Sequence, residues 1–465
     1  MTPSTPRKVL LLAYHFPPLG GAGSLRLLSF AKYLPDFGWE PIVVTVGEMG
    51  IAGEDPSVLG QLSHDITIHR WFTPIAGAWA LRKKEAPRPT AKEAERAGGP
   101  TGPAAAAAPT RRAPRLRHVA RRVVENLFAV PDHAILWSVA SGIRMGNLMR
   151  SLGVDVFVTS SPPHSELAGG LIARQISAAA WVVDLRDPWR CGDRVVARNF
   201  RNAVGGWLED TAVRNAQKVL ANTPRLAESL SAGKGVDPRR IVVLPNGYDA
   251  DAIGEAVRRV RARPRADGEP FTIVHAGTLY MGFREPYAIL DAIARARQIL
   301  GSEARPIRLV LAGESSYHHR PELKRRIVDL GLEDVVHMPG YLPHAEALAL
   351  AASADLLLVI QEGESVSLQV PSKAYEYLAL DRPVLCLARD GATADLVRQS
   401  PIGEVIAPGH IDGIADLLVR HNRQNRNIRG EHVHGSSLPP GVFSRKELAG
   451  RLAEVLEAVV SDRSR

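Results

Sequence analysis

From end to end, the sequence alternates between short apolar, β-branched runs and longer stretches with helical spacing. That alternation predicts βα units stacked around parallel sheets. Candidate strands fall at 9–14, 41–46, 65–71, 154–160, 180–185, 217–222 and 240–245, and then at 271–276, 307–312, 334–338, 355–360, 383–388 and 403–407. Seven strands followed by six imply two Rossmann-like domains. The junction falls near 250–270, where Arg258-Arg-Val-Arg-Ala-Arg-Pro-Arg265 and Asp267-Gly-Glu-Pro270 read as a linker. The expected organisation is a first domain over 1–255, a second over 256–440, and a C-terminal helix over 441–465 that closes back on the protein.

The stretch richest in chemistry is Val370-Pro-Ser-Lys-Ala-Tyr-Glu-Tyr-Leu-Ala-Leu-Asp-Arg-Pro-Val-Leu-Cys386, which reads as loop, helix, turn and strand. Pro371 can open a helix because the N–H it lacks would be unpaired there anyway. Ser372 and Lys373 then occupy a first turn whose free N–H groups and dipole favour phosphate. Glu376 follows about one turn later on roughly the same side, where a carboxylate can accept from the two hydroxyls of a ribose. The pattern suits a nucleoside diphosphate. The bland reading is an amphipathic helix with Lys373 and Glu376 in water.

Ligands of open α/β sheets bind outside the carboxyl ends of the strands, so polar residues at predicted strand exits carry weight. Thr159-Ser-Ser-Pro-Pro-His-Ser165 puts His164 at one exit. Val182-Val-Asp-Leu-Arg-Asp-Pro-Trp189 puts Asp184 and Asp187 at the next, with Arg186 able instead to pair inside the loop. Leu244-Pro-Asn-Gly-Tyr-Asp249 places Asn246 in turn chemistry. Asp249 and Asp251 formally match a metal-binding Asp-x-Asp pattern, but acids before a linker are ordinarily solvated or capping, and no metal is assigned. The exit after the eighth strand holds Thr278 and Tyr280, with Arg284 near the next helix start, its forked guanidinium suited to a diphosphate. Tyr14-His-Phe-Pro-Pro-Leu-Gly-Gly-Ala-Gly-Ser24 brings Gly20 and Gly21 to a strand-to-helix turn that a phosphate or sugar can approach closely. Arg26 stands where a dinucleotide fingerprint needs Gly or Ala, which argues against NAD.

Composition narrows the class. Two cysteines far apart, Cys191 and Cys386, fit free thiols in a reducing compartment and no zinc site. No apolar run reaches the ~18 residues of a spanning helix, and the apolar start lacks a cleavage site, so the expectation is a cytoplasmic protein. The net charge of +9 is matched by 82–122 alone, with twelve Lys or Arg against three Glu. The balanced remainder excludes a general nucleic-acid binder. Residues 82–115 read as a low-complexity basic insertion, followed by an amphipathic pattern to Phe128. Together, 82–128 could contact an anionic membrane peripherally at its inner face, or simply pack on their own domain.

Taken in order, His15-Phe-Pro-Pro-Leu-Gly-Gly21, Ser161-Pro-Pro-His-Ser165, Asp184-Leu-Arg-Asp-Pro-Trp189, Pro245-Asn-Gly-Tyr-Asp249, Gly277-Thr-Leu-Tyr280 and Pro371-Ser-Lys-Ala-Tyr-Glu-Tyr-Leu-Ala379 resemble the retaining glycosyltransferases of family 4. The resemblance covers nearly the whole chain outside 82–115. It implies the GT-B fold, two Rossmann-like domains with parallel sheets facing across a cleft. It further implies a nucleoside-diphosphate sugar as co-substrate, held mainly by the second domain, and an acceptor glycan, lipid-linked or small molecule held by the first. No other cofactor and no metal are implied. On this resemblance His164, Arg284 and Lys373 are the catalytic candidates. Gly20, Gly21, Thr278, Tyr280, Ser372 and Glu376 bind donor, and Asp184, Asp187 and Asn246 bind substrate. Two departures stand out: Leu368 occupies the first position of the family's Glu-x7-Glu motif, and Thr278 stands where an arginine is usual. The implied activity is sugar transfer with retention, in the synthesis of cell-envelope polysaccharide, glycolipid or another glycoconjugate. The rivals are a nucleotide-sugar epimerase on the same fold and a degenerate, non-catalytic partner subunit.

Overall fold

The computed structural model describes residues 6–19, 22–47, 60, 62, 66–72, 130–189, 200–261, 268–280, 282, 284–302, 304–313, 321–363, 366–424 and 441–462. The basic insertion 82–115, the amphipathic pattern after it, Gly20, Gly21 and Cys191 lie outside these residues.

Every expected strand is present. The first seven are β1 (Arg7–Leu12), β2 (Trp39–Val46), β3 (Thr67–Trp71), β4 (Val156–Ser161), β5 (Ala180–Leu185), β6 (Lys218–Ala221) and β7 (Ile241–Val243). They form a sheet in the order β3-β2-β1-β4-β5-β6-β7. The other six are β8 (Phe271–Ala276), β9 (Ile307–Ala312), β10 (Val336–Gly340), β11 (Leu356–Gln361), β12 (Val384–Ala388) and β13 (Gly403–Ile406), in the order β10-β9-β8-β11-β12-β13. Registers are parallel. Leu10 stands between Ile42 and Phe157, and Ile273 between Leu309 and Leu356. In each sheet the winding reverses beside the first strand, at β1/β4 and at β8/β11, and such a switch point opens a crevice at the carboxyl ends.

Helices intervene as α1 (Ala22–Tyr33), α2 (Ile135–Leu152), α3 (Glu166–Ile176), α4 (Phe200–Asn215), α5 (Pro224–Lys234) and α6 (Ala250–Arg261), then α7 (Tyr287–Leu300), α8 (Pro321–Asp329), α9 (His344–Ala352), α10 (Ser372–Ala379), α11 (Ala392–Arg398), α12 (Ile411–Arg423) and α13 (Arg445–Ser461). Among the described residues no helix is long and apolar enough to cross a membrane. Local chemistry sets several starts. Thr223 Oγ1 accepts from Leu226 N–H ahead of Pro224, and Ser444 Oγ accepts from Glu447 N–H. Asp249 Oδ1 accepts from Asp251 and Ala252, so this acid caps α6. Pro371 lies one residue outside α10 rather than in its first turn. Its φ of −67° suits either place, and its ψ of 141° is extended.

By their contacts the residues group into two compact units, Met1–Val183 with Ala197–Gln217, and Asp184–Val196 with Lys218–Arg465. In the second, alternate residues of the central strands feed two separate cores. Leu357, Val359, Val384 and Cys386 join one with Tyr375 and Tyr377, while Leu356, Leu358, Leu385 and Leu387 join the other with Ile289 and Leu418. A sheet buried on both faces explains why these strands read as unbroken apolar runs.

In the first unit, α2 and α3 meet through glycines. A Cβ on Gly142 would lie 2.6 Å from the Gly169 carbonyl oxygen, and one on Gly169 would lie 2.7 Å from that of Ser138. Gly142→Ala should therefore lower stability by about 1–3 kcal/mol. Gly233→Ala, on exposed helix with nothing within 4 Å, should instead raise it by up to ~1 kcal/mol. Denaturant midpoints of the two variants should shift in opposite directions, and equal shifts would refute the close approach of α2 and α3.

Candidate functional site

The switch point of the second sheet gathers a set of buried and half-buried polar groups. His275, on β8, is fully buried and its Nδ1 lies 2.9 Å from the Leu358 carbonyl on β11. Lys373, the second residue of α10, brings its Nζ to 3.0 Å from His275 Nε2. Room for that ammonium comes from Gly277, where a Cβ would lie 2.2 Å from Lys373 Nζ. Gly277 has a φ of +141°, a conformation that L side chains rarely adopt. Gly313, at the end of β9, packs in turn on Gly277, where its own Cβ would stand 2.6 Å from the Gly277 carbonyl. Tyr377, on α10, accepts the Ala276 N–H at 2.7 Å and ties that helix to the end of β8.

A second cation stands close by. Arg284 donates from Nε to Gln361 Oε1 at 3.2 Å, and its guanidinium carbon lies 5.4 Å from the Tyr280 ring centre. Burial and the neighbouring Arg284 charge push the Lys373 ammonium well below the ordinary lysine range, against the pull of Glu376. Burial likewise lowers Arg284, against the pull of Tyr280 and of Asp187. The site thus concentrates positive charge that an anion would answer.

Glu376 sits one helical turn beyond Lys373. Burial works to raise its pKa, but the hydrogen bond from His344 and the charges of His344, Arg445 and Lys373 leave it below the usual carboxylate range. His344 Nε2 lies 3.0 Å from Glu376 Oε1, and Arg445 of α13 lies 4.0 Å from the same oxygen. Among the described residues both contacts fall on Oε1, and Oε2 can accept from a ligand.

The remaining expected residues sit as follows. Ser372 and Thr278 are half-buried beside these groups. Asp184 is wholly buried at the end of β5, while Asp187 and Asn246 are half-buried in the loops after β5 and β7. His164, in the first unit, is buried with Nε2 3.8 Å from Oε2 of the wholly buried Glu209. The structure therefore brings Lys373, Arg284, Tyr280, Ser372 and Glu376 to one sheet edge. Sequence reasoning did not single out His275, Gln361, Glu362, Arg445 or Tyr377. For His275 a signal existed, an imidazole interrupting the apolar run Phe271-Thr-Ile-Val-His-Ala276.

Comparison with known proteins places the chain in a family. A model described as "Glycosyl transferase 4-like domain" matches residues 21–247, and one described as "Glycosyl transferases group 1" matches 248–427. The chain belongs to the family 4 glycosyltransferases, with the two parallel sheets of the GT-B fold. Among curated relatives, an MMP α-(1→4)-mannosyltransferase of Mycolicibacterium hassiacum is 24% identical over 62% of this chain and 62% of its own. A D-inositol 3-phosphate glycosyltransferase of Kineococcus radiotolerans is 31% identical over 39% of this chain and 42% of its own. The chain thus spans less than two thirds of the length of these relatives. A solved structure of Anabaena HepE in complex with UDP-glucose has a TM-score of 0.59 at 17% identity, covering 97% of this chain and 99% of that one.

Glu362, next to Gln361 at the end of β11, is raised to about 7, first by burial and then by Glu285. The native state therefore holds this proton more tightly than the unfolded chain. The resulting stability is fully present below the ordinary value of 4.5 and is lost as pH rises through about 7. Glu362→Gln should be more stable than the parent at pH 8, on the order of 1–2 kcal/mol after solvent screening, with no such advantage at pH 4. Urea midpoints at the two pH values decide it, and an equal offset at both would refute the assignment.

Proposed function

We propose that this chain moves a sugar from a nucleoside-diphosphate sugar to an acceptor hydroxyl with retention at the anomeric carbon. The acceptor is a glycan, a lipid-linked sugar or a small molecule in glycoconjugate synthesis. The observation that carries this reading is the pairing of Lys373 and Arg284 at a sheet switch point, one turn before a carboxylate with a free oxygen. Family membership and the naming of the curated relatives as glycosyltransferases support it.

Cleaving the donor builds negative charge on the departing diphosphate and positive charge on the sugar. Lys373, Arg284 and the N–H groups at the start of α10 are positioned to meet the first, and groups already in place need no reorganisation as the charge develops. Glu376 Oε2 accepts from the ribose hydroxyls while His344 and Arg445 keep the carboxylate ionised. The leaving phosphate oxygen lies on the face where the acceptor enters and takes its proton, so no protein nucleophile is assigned. His164 hydrogen-bonds a donor hydroxyl or phosphate, and Gly20 and Gly21 let the donor approach their backbone. Thr278 and Ser372 line the diphosphate, while Asp184, Asp187 and Asn246 hold acceptor. The basic stretch 82–128 draws the enzyme to an anionic membrane surface where a lipid-linked acceptor resides.

A thermal-shift panel of UDP-, GDP-, ADP- and TDP-sugars tests the reading, because a ligand that binds only the folded state raises its stability. The gain is about 2.7 kcal/mol at a hundredfold excess over Kd, a rise of several degrees. One base should stand out, and free nucleoside diphosphate should appear only when acceptor is present. Lys373→Ala and Glu376→Ala should each weaken donor binding at least ~10-fold, about 1.4 kcal/mol. Normal affinity in both variants would remove the site assignment, and no stabilisation by any nucleotide would point to a non-catalytic partner.

A further inference from the structure

We infer that His275 is a positioning residue for Lys373, holding its ammonium at the carboxyl edge of β8 where the diphosphate of the proposed reaction must sit. The inference rests on the proposed function for its consequence, and on geometry for the pair itself. A backbone carbonyl can only accept, so the His275 nitrogen 2.9 Å from Leu358 O carries the proton. Nε2 is then a lone pair, and the Lys373 ammonium 3.0 Å away donates to it. Burial first, and the Lys373 charge second, hold His275 well below the ordinary histidine range, so it remains an acceptor at neutral pH.

The alternative is a histidine that merely fills the core beside a lysine with its own reasons for lying there. The geometry argues against it. The lysine turns back over the strand tips, into the space that Gly277 leaves by lacking a Cβ. Its partner is neutral, so Lys373 gains direction from the bond without losing charge to it. The charged groups acting on it are Arg284, which opposes the ammonium, and Glu376, which favours it. Among the described residues His275 takes one of the three ammonium donors, and the other two can turn to a ligand. An imidazole anchored on β11 and bonded to a side chain of α10 therefore fixes a cation across β8, where neither element alone could place it.

The test compares His275→Leu, His275→Gln, Lys373→Met and the double variant His275→Leu/Lys373→Met. Binding of UDP, GDP, ADP and TDP, each alone, is measured by calorimetry alongside melting temperatures. His275→Leu should weaken the nucleotide that the parent binds about 10-fold. His275→Gln keeps one donor and one acceptor and should recover most of that loss. In the double variant the His275 substitution should add nothing to the loss from Lys373→Met, because it acts through that lysine. Additive losses, or parent-like affinity in His275→Leu when Lys373→Met binds poorly, would overturn the inference.

Imidazole nitrogen NMR of the ligand-free protein decides the pair independently. The Nδ1–H tautomer should be present, with an Nε2 resonance that moves in Lys373→Met, and an Nε2–H tautomer would overturn the assignment. If the parent binds no nucleotide while this signature is present, the pair stands and the donor site falls.

Discussion

A half-buried ammonium with a guanidinium for a neighbour is unfavourable unless something answers it, and the carboxyl edge of the second sheet is built around that pair. Removing charge from water is costly, and like charges raise the cost further. Lys373 nevertheless lies against His275, with Arg284 beside it and Glu376 as the nearby acid. The arrangement is reasonable for a site whose occupant is itself an anion. Asp187 acts on Arg284 as Glu376 acts on Lys373, so each cation has an acid in its surroundings.

The surrounding backbone serves the same end. Gly277 and Gly313 stack at the tips of β8 and β9, each leaving open a space that a side chain would fill, so that the lysine reaches over the strands. Tyr377 secures α10 to the end of β8 through the Ala276 amide. Arg445 arrives from the last helix to face Glu376. The C-terminal segment also pairs with the chain near Tyr248, where Tyr248 N–H donates to Phe443 O and Arg445 N–H to Tyr248 O. That brings the helix carrying Arg445 back to the edge where the carboxylate lies. Contributions from β8, β11, α9, α10 and α13 thus converge on two functional ends, a cation and an acid.

Legibility followed the physics of each feature. The strand pattern was plain because buried parallel strands must be apolar on both faces, and Val384-Leu-Cys-Leu-Ala388 shows it residue by residue. The start of α10 was plain to within a residue, since Pro371 carries a local signal, although Pro371 proved to precede its helix rather than begin it. Lys373 and Glu376 stood out by spacing and by the family motif around them. His275 did not, because nothing local distinguishes an imidazole that accepts from a lysine 98 residues away from one that is simply packed.

By itself, then, the sequence determined the βα alternation, the two sheets of seven and six strands, the family, and the helix that presents Lys373 and Glu376. These depend on periodicity, capping and burial, which act over a few residues. Only the tertiary structure decided which polar groups meet: His275 with Lys373, His344 and Arg445 with Glu376, Gln361 with Arg284. Those meetings depend on strand order, which sets β8 against β11 although α7, β9, α8, β10 and α9 lie between them along the chain. Neighbours in a doubly wound sheet are chosen by where crossovers pack, and that information belongs to the whole fold rather than to any stretch of residues.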